Sequence, residues 1–248
     1  MTKFGLIGYP LAHSFSAKFF NEKFEKESID AAYLNFEIDN IDKIKDIVSL
    51  HPTLKGINVT IPYKEQVVSL LNKVSKAAKT IGAVNVIRVE RVKNDSNHLL
   101  SGYNTDYIGF KNSIKPLINE SHRKALILGT GGASKAVGYA LTSLGIEWKY
   151  VSRNKSKVNF TYAELDKNIL SDFTIIINAS PVGTYPNIKE APAIPYQHLT
   201  SNHLLYDLVY NPEVTLFLTK GKEQGTTIKN GAEMLTLQAL AAWEIWNK

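Results

Sequence analysis

The residues with the clearest potential for chemistry are the glycines near the middle of the chain. Residues 129–132 read Gly-Thr-Gly-Gly and directly follow the apolar run 125–128, which is typical of a buried parallel strand. Apolar side chains at three- and four-residue steps then predict a helix over residues 133–144. Backbone N–H groups at such a helix start can bind a diphosphate. The pattern predicts a dinucleotide site; because Ser134 replaces the third glycine of the usual motif, an ordinary tight turn is the alternative.

A basic loop indicates which dinucleotide to expect. The next apolar run, residues 148–151, is followed by a loop that contains Arg153, Lys155 and Lys157 and no acidic residue. An acidic residue at this position would bind a ribose 2′-hydroxyl, whereas an arginine with nearby lysines accommodates a 2′-phosphate. We therefore expect NADP rather than NAD as the cofactor, with a solvated basic loop as the alternative.

Two serines lie in the loop after the first predicted strand, residues 3–7. Open α/β sheets bind their ligands at the carboxyl ends of their strands, which makes Ser14 and Ser16 candidates for ligand contact. Ser16 is also well placed to cap a helix that runs from residue 17 to about residue 26. Capping is therefore its alternative role, and no such role is predicted for Ser14.

Polar side chains also interrupt a later apolar strand, residues 56–62. Asn58 and Thr60 lie two residues apart, so they share a face that meets either solvent or a ligand. Lys64 follows Pro62 and is predicted to open a helix, where the helix dipole prefers anions. Lys64 is therefore expected either to extend into water or to be held by a partner charge.

Asn85 and Asp106 are two further candidates. Asn85 is a polar residue within the apolar strand predicted over residues 82–87. Thr105 is predicted to cap the next helix, so Asp106 lies in its first turn, where an acidic side chain suits the helix dipole. That dipole role alone is the alternative to a chemical role for Asp106.

The composition excludes several classes of protein. The chain of 248 residues has no cysteine, which excludes disulfides and cysteine-ligated metals, and its six histidines lack metal-ligand spacing. Gly5, Gly8 and Pro10 interrupt the N-terminal apolar segment, and no apolar run reaches about 18 residues, so we expect a cytoplasmic protein without a membrane partner. The net charge of +6 is spread along the chain, which favours a small anionic ligand over nucleic acid.

The remaining elements alternate between strands and helices, which predicts an α/β protein. Further strands are predicted over residues 32–38, 173–178, 204–209 and 226–228, further helices over 42–50 and 213–224, and a hairpin around 93–97.

Taken together, eight stretches resemble the shikimate dehydrogenase family, in the order that the family has them. They are residues 8–16, 58–64, 82–85, 102–109, 129–133, 178–183, 206–212 and 230–239. Because they extend over nearly the whole chain, the resemblance is specific.

The resemblance implies the reversible NADPH-dependent reduction of 3-dehydroshikimate to shikimate, a step towards chorismate and the aromatic amino acids. It also implies an α/β substrate domain, residues 1–104 plus 231–248, and a Rossmann-like NADP domain, residues 105–230. Two helices would link them, from residue 105 to about 119 and from 231 to about 246. The only partner expected is the small-molecule substrate, in a monomer or homodimer. The alternatives are an NAD-using quinate/shikimate dehydrogenase of the same family and a non-catalytic nucleotide-binding domain.

The resemblance also assigns roles to individual residues. Lys64 and Asp106 would be the catalytic pair, with Ser14 and Ser16 on the substrate carboxylate. The substrate hydroxyls would meet Asn58, Thr60, Asn85 and Gln238, and Tyr210 would line the same pocket. The cofactor would contact Gly129, Thr130, Gly131, Gly132, Ala133, Arg153, Asn154, Lys157, Asn178, Ser180, Leu208 and Gly231.

The chain departs from the family's usual residues at a few of these places. Ala17 stands where a proline is common, and Phe20 where a histidine is usual. Lys157 stands where a second arginine is often found, and a lysine lacks the forked contact that an arginine makes with a phosphate. Thr184 follows Gly183 where a methionine is frequent.

Overall fold

The computed structural model describes residues 1–11, 14–91, 98–155 and 158–248. The chain forms two compact units, which we call unit 1 (residues 1–105 and 239–248) and unit 2 (residues 106–238). Each unit contains a six-stranded sheet with helices, so the predicted two-domain α/β class is confirmed. The domain boundaries predicted at residues 104 and 231 stay a prediction.

Unit 1 is built on a mixed sheet with the strand order β2-β1-β3-β5-β6-β4. The strands β1, β2 and β3 are parallel, whereas β5 runs antiparallel to both β3 and β6. The strands are β1 (Thr2–Gly8), β2 (Ala31–Glu37), β3 (Leu54–Val59), β4 (Lys73–Val74), β5 (Val86–Arg91) and β6 (His98–Tyr103), and the helices are α1 (Phe15–Lys26), α2 (Ile44–Leu50) and α3 (Lys76–Ile81).

Unit 2 is built on a sheet in which every pair of neighbouring strands is parallel. The strands are β7 (Lys124–Leu128), β8 (Glu147–Ser152), β9 (Phe160–Thr161), β10 (Ile175–Asn178), β11 (Leu204–Asp207) and β12 (Thr227–Lys229), and the helices are α4 (Asp106–Ile114), α5 (Gly132–Ser143), α6 (Lys167–Asp172) and α7 (Leu216–Glu223). The last helix, α8 (Ala232–Trp246), begins in unit 2 and belongs to unit 1 from residue 239 on. The strand order is β12-β11-β10-β7-β8-β9, so the chain adds β8 and β9 on one side of β7 and then β10, β11 and β12 on its other side. The order of the strands therefore reverses between β7 and β10. Ligands of open parallel sheets bind at such a reversal, outside the carboxyl ends of the strands.

The central strand β7 is buried on both faces, as its apolar run predicted. Ala125 and Ile127 pack into one hydrophobic cluster, and Leu126 and Leu128 pack into another on the opposite side of the sheet. This two-sided burial explains why the run has no polar alternation. The helix predicted to follow it is also confirmed, as α5, and Gly145 after its end has a φ of +75°.

The prediction that Ser16 caps the first helix is wrong. The cap is Ser14, whose Oγ accepts a hydrogen bond from the backbone N–H of Ala17 at 3.1 Å, and Ser16 lies within the first turn of α1. A proline at position 17 would have no N–H to donate, so this cap depends on the departure of Ala17 from the family's usual residue.

The prediction that Lys64 opens a helix is also wrong. Residues 61–65 form turns, and only a short 3-10 helix, Gln66–Leu70, follows them. The carbonyl oxygen of Lys64 accepts a hydrogen bond from the N–H of Val84 at 2.7 Å, so a contact with a distant segment replaces the helical bond. The argument from the helix dipole therefore does not apply to Lys64. The predicted hairpin turn at residues 93–97 lies outside the described residues.

Candidate functional site

The candidate substrate residues of unit 1 lie at one edge of its sheet. The strands β1 and β3 end there, and the antiparallel strand β5 begins there, because Asn58 is paired with Val86. Val86 is also paired with Tyr103, so β6 ends at the same edge. The sheet therefore brings together Asn58, Asn85 and Thr105, which are far apart in the sequence.

A buried hydrogen-bond network holds these side chains. The Asn58 Nδ2 donates to the carbonyl oxygen of Asn85 at 3.2 Å. The Asn85 Oδ1 accepts from the N–H of Thr105 at 2.6 Å, and the Asn85 Nδ2 donates to the Thr105 Oγ1 at 3.1 Å. Asn58 and Asn85 are only 5% and 3% exposed, so burial of their amides is offset by partners within the protein.

Tyr33 joins this network, although no sequence pattern pointed to it. Its hydroxyl donates to the Oδ1 of Asn58 at 2.7 Å. Burial raises the pKa of Tyr33 well above its ordinary value, so the phenol is neutral. The network from Tyr33 to Thr105 consequently consists of uncharged groups.

The other predicted residues of unit 1 lie close to this edge. The N–H of Thr60 donates to the carbonyl oxygen of Ile7 at 2.9 Å, next to the end of β1. Lys64 is half-buried, and its backbone bond to Val84 fixes it beside Asn85 in the fold. Ser14 is occupied as the cap of α1, but an accepting hydroxyl keeps its own hydrogen for a second bond.

Three of the predicted catalytic and substrate residues belong to unit 2. Asp106 is the first residue of α4 and is buried, at 6% exposed, directly after Thr105. Gln238 on α8 is equally buried, and its Nε2 donates to the carbonyl oxygen of Leu235 at 2.9 Å. Tyr210 follows β11 and is 42% exposed.

The glycine turn fits a diphosphate. Gly129 has a φ of +116°, which favours glycine, and a Cβ there would lie 3.1 Å from the carbonyl oxygen of Ala179, across the reversal between β7 and β10. Gly131 is the N-cap of α5 without any side-chain cap, and a Cβ added to it would meet nothing within 4 Å. No side-chain cap therefore competes with an anion for the start of α5.

The structure also shows what stands in for the third glycine of the motif. Ser134 is fully buried, and its Oγ donates to the carbonyl oxygen of Gly131 at 2.6 Å, inside the turn. The close approach of helix to strand occurs one turn later, where a Cβ on Gly138 would lie 2.7 Å from the ring of Trp148. The serine is therefore compatible with the tight packing that the motif normally achieves with glycine.

The basic loop lies at the same edge as the glycine turn. Val151 is paired with Leu128, and the exposed residues Arg153 and Asn154 follow directly after β8. Lys155 instead forms an ion pair with Glu164 at 2.6 Å, which lowers the pKa of Glu164 to about 2. Lys157, the other predicted cation, lies outside the described residues. Arg153 is thus the described residue best suited to a 2′-phosphate.

A buried carboxyl group anchors the loops after β10 and β11, and sequence reasoning gave it no role. Asp207 accepts hydrogen bonds from the Nδ2 of Asn178 at 2.9 Å, the N–H of Val209 at 3.0 Å and the Oγ1 of Thr215 at 2.6 Å. Burial raises the pKa of Asp207 to about 6. Three donors from three segments therefore converge on one carboxyl group.

The side chain of Asn178 forms hydrogen bonds with Asp207 and with the turn that follows Asn178. Its Oδ1 accepts from the N–H of Ser180 at 3.1 Å and from the Oγ of Ser180 at 2.6 Å, and its Nδ2 also donates to the carbonyl oxygen of Val182 at 3.1 Å. Asn178 is fully buried. Its amide therefore shapes the loop that carries Ser180.

Gly231 is required by packing. A Cβ at this position would collide with the carbonyl oxygen of Leu208, and the N–H of Gly231 donates to the carbonyl oxygen of Val209 at 3.2 Å. Any side chain would separate these two segments, so the glycine keeps α8 close to the end of β11.

Two other kinds of feature are missing from the described part of the chain. No helix there is both long and apolar enough to cross a membrane. Among the same residues, no group of three or more His, Cys, Asp or Glu side chains is arranged to hold a metal ion.

Comparison with known proteins gives full-length matches. Residues 6–87 match the family model of the shikimate dehydrogenase substrate binding domain. The shikimate dehydrogenase (NADP(+)) of Clostridium beijerinckii is 39% identical, over 100% of this chain and 93% of that protein. The crystal structure of shikimate dehydrogenase 1 from Peptoclostridium difficile is 40% identical, with a TM-score of 0.83 over 100% of this chain and 92% of that one. The Thermus thermophilus enzyme in complex with NADP(H) and shikimate is 28% identical, with a TM-score of 0.85 over 99% and 93% of the two chains.

Proposed function

Because this chain belongs to the shikimate dehydrogenase family, we propose that it catalyses the reversible NADPH-dependent reduction of 3-dehydroshikimate to shikimate. The chain is an oxidoreductase of the shikimate pathway, and its cofactor is NADP. The observation that carries the proposal is the similarity to NADP-dependent shikimate dehydrogenases over 98% to 100% of the chain. The reaction direction and the roles of individual residues are the finer parts of the proposal.

Substrate recognition is assigned to the edge of the unit 1 sheet that carries the uncharged network of Tyr33, Asn58, Asn85 and Thr105, which we call the neutral edge. Shikimate carries one carboxylate and several hydroxyls, so it needs many short uncharged donors and acceptors. The hydroxyls of Ser14 and Ser16 would bind the carboxylate. The substrate hydroxyls would be bound by Asn58, Thr60, Asn85 and Gln238, with Tyr210 lining the pocket. Each buried polar group left unmatched by a wrong substrate would cost about 1 to 3 kcal/mol, which gives such a site its selectivity.

Lys64 and Asp106 are proposed as the catalytic pair. The Lys64 ammonium would stabilise the growing alkoxide and donate its proton to that oxygen, while Asp106 would orient the ammonium and the neighbouring substrate hydroxyl. The support is the local geometry around Asn85. The backbone of Lys64 is bonded to Val84, and the side chain of Asn85 is bonded to Thr105, the residue before Asp106.

The proposed cofactor residues lie at the carboxyl edge of the unit 2 sheet. The N–H groups at the start of α5 would hold the diphosphate, with contacts from Gly129, Thr130, Gly131, Gly132 and Ala133. Arg153 and Asn154 would hold the 2′-phosphate, and Lys157 keeps its predicted part in this. Bound NADPH would supply the hydride for the ketone carbon.

The other wall of this site would come from the loops that Asp207 anchors. Ser180 would meet the cofactor directly, and Asn178 would contribute through the hydrogen bonds that fix Ser180. Leu208 and Gly231 would lie along the same wall, where their close packing leaves no room for a side chain at residue 231.

The test is a matrix of initial rates for the purified protein with two substrates and two cofactors. NADPH with 3-dehydroshikimate should give the highest kcat/KM of the four combinations. A higher value for 3-dehydroquinate with NADH would indicate an NAD-using quinate/shikimate dehydrogenase. NADPH binding without turnover of either substrate would indicate a non-catalytic nucleotide-binding domain and would contradict the proposal.

A further inference from the structure

Tyr33 occupies a position that the fold fixes from several sides. It lies in β2, is 3% exposed, and its main chain is bonded to the side chain of Asn21 on α1. The Asn21 Oδ1 accepts from the N–H of Tyr33 at 2.9 Å, and the Asn21 Nδ2 donates to its carbonyl oxygen at 3.1 Å. The ring of Phe20 stacks on the Tyr33 ring, with centroids 4.9 Å apart and planes 11° from parallel. The phenol therefore has little freedom to move.

The Tyr33 hydroxyl contacts a side chain that the proposed function places on the substrate. It donates its single hydrogen to the Oδ1 of Asn58 at 2.7 Å. Asn58 is assigned to a substrate hydroxyl. The phenol thus sets the position of the Asn58 amide.

The bond from Tyr33 also fixes which end of the Asn58 amide can meet a ligand. With its oxygen accepting from Tyr33, Asn58 presents its NH2 group, and one of those two hydrogens goes to the carbonyl oxygen of Asn85. The second hydrogen can be donated to a substrate oxygen. The arrangement therefore makes Asn58 a hydrogen-bond donor towards the substrate.

We propose that Tyr33 is a positioning residue for substrate recognition, which presents Asn58 as a hydrogen-bond donor. This inference rests on the proposed function, because it assumes that Asn58 binds the substrate. Tyr33 itself does not need to touch the substrate. Its contribution is to hold this contact residue in the binding geometry before the substrate arrives.

The test compares Tyr33→Phe with Tyr63→Phe. Tyr63 is a matched control because it is also 3% exposed in unit 1, and its hydroxyl donates one bond, to the carbonyl oxygen of Ile38 at 2.6 Å. Tyr33→Phe should raise the KM for 3-dehydroshikimate about 5- to 50-fold, because a buried acceptor loses its donor. The kcat should stay within about 3-fold, and the KM for NADPH should not change. Tyr63→Phe should leave all three constants near the wild-type values.

Calorimetric titration with shikimate makes the result independent of turnover. Weaker shikimate binding by Tyr33→Phe than by Tyr63→Phe supports the inference even if the wild type lacks turnover, in which case only the proposed reaction fails. Equal substrate constants for the two variants would overturn the inference and leave the proposed reaction intact. No binding of shikimate to the wild type would overturn both.

A double variant separates positioning from general loss of structure. If Tyr33 acts through Asn58, adding Tyr33→Phe to Asn58→Ala should raise the KM by a smaller factor than it does in the wild-type background. Fully multiplicative effects of the two changes would mean that Tyr33 acts independently of Asn58, and would contradict the role proposed here.

Discussion

The two sheets each place asparagines where the strands reach their functional edge, but the surrounding chemistry differs. In unit 1, Asn58 and Asn85 are bonded to Tyr33 and Thr105, all of them neutral. In unit 2, Asn178 is bonded to the buried carboxyl group of Asp207. The neutral groups of the first edge suit the hydroxyls of the proposed substrate, whereas the second edge depends on an ionisable anchor beneath the loops assigned to the cofactor.

The comparison also shows two uses of the same amide side chain. Asn58 has one amide hydrogen committed to a main-chain carbonyl and a second that can serve a ligand. Asn178 uses both ends of its amide within the protein, on Asp207, Ser180 and Val182. An asparagine at a strand end can therefore either bind a ligand or fix the shape of a loop, and its hydrogen-bond partners show which of the two it does.

The largest expected effect is the loss of turnover when Lys64, the charged residue beside the neutral edge, is replaced. Lys64→Ala should lower kcat roughly 10²- to 10⁴-fold with a smaller change in KM, because the proton donor is lost while the polyol contacts stay. Steady-state rates with 3-dehydroshikimate and NADPH measure this, and Lys79→Ala, which changes an exposed lysine of the same unit, is the control. Unchanged turnover in Lys64→Ala would remove the assignment.

The next effect concerns the anchor of unit 2. Asp207→Ala leaves three buried donors, from Asn178, Val209 and Thr215, without their acceptor, and should lower the free energy of unfolding by on the order of 3 kcal/mol. Denaturant titration measures this. Asp172→Ala, which removes an exposed carboxylate paired with Lys124, should change the same quantity by less than about 1 kcal/mol. Equal losses in the two variants would mean that Asp207 is no anchor.

The sequence predicted the regular elements well where one segment alone determines them. The run at residues 125–128 was typical of a buried strand, and the glycines after it indicated the start of α5. Sequence-based prediction failed where a contact between distant segments determines the local structure. Lys64 looked like a helix start after Pro62, but its carbonyl group is bonded to Val84, twenty residues further along the chain.

The roles of single side chains were harder to predict for the same reason. The sequence pattern predicted Ser16 as the cap of α1, but the N–H of Ala17 is bonded to Ser14 instead. Tyr33 and Asp207 meet their asparagine partners across 25 and 29 residues of sequence. No local pattern reports such a contact, so both residues became visible only in the folded chain.

A pH series sharpens the contrast between the two edges. Burial raises the pKa of Asp207 from 3.8 to about 6, so the folded protein holds this proton more tightly than the unfolded chain. The free energy of unfolding should therefore fall by on the order of 2 kcal/mol as the pH rises from 3.8 to about 6. Asp207→Asn keeps an acceptor oxygen and should lack this component. An identical pH dependence of the wild type and the variant would contradict the role of the carboxyl group.

The smallest expected effect tests how Arg153, at the carboxyl edge of the unit 2 sheet, distinguishes NADPH from NADH. Arg153→Gln should raise the KM for NADPH about 10-fold and change the KM for NADH far less, because a charge-assisted bond to the 2′-phosphate is lost. Arg123→Gln, another exposed arginine of unit 2, is the control. Equal increases with both cofactors would show that Arg153 does not recognise the 2′-phosphate.

The most direct test of the central claim follows NADPH consumption by the purified wild-type protein with 3-dehydroshikimate, with the product identified by mass spectrometry. The account predicts that NADPH is consumed only when 3-dehydroshikimate is present, and that one shikimate forms for each NADPH oxidised. NADPH that binds but is not consumed, or a product other than shikimate, would contradict it.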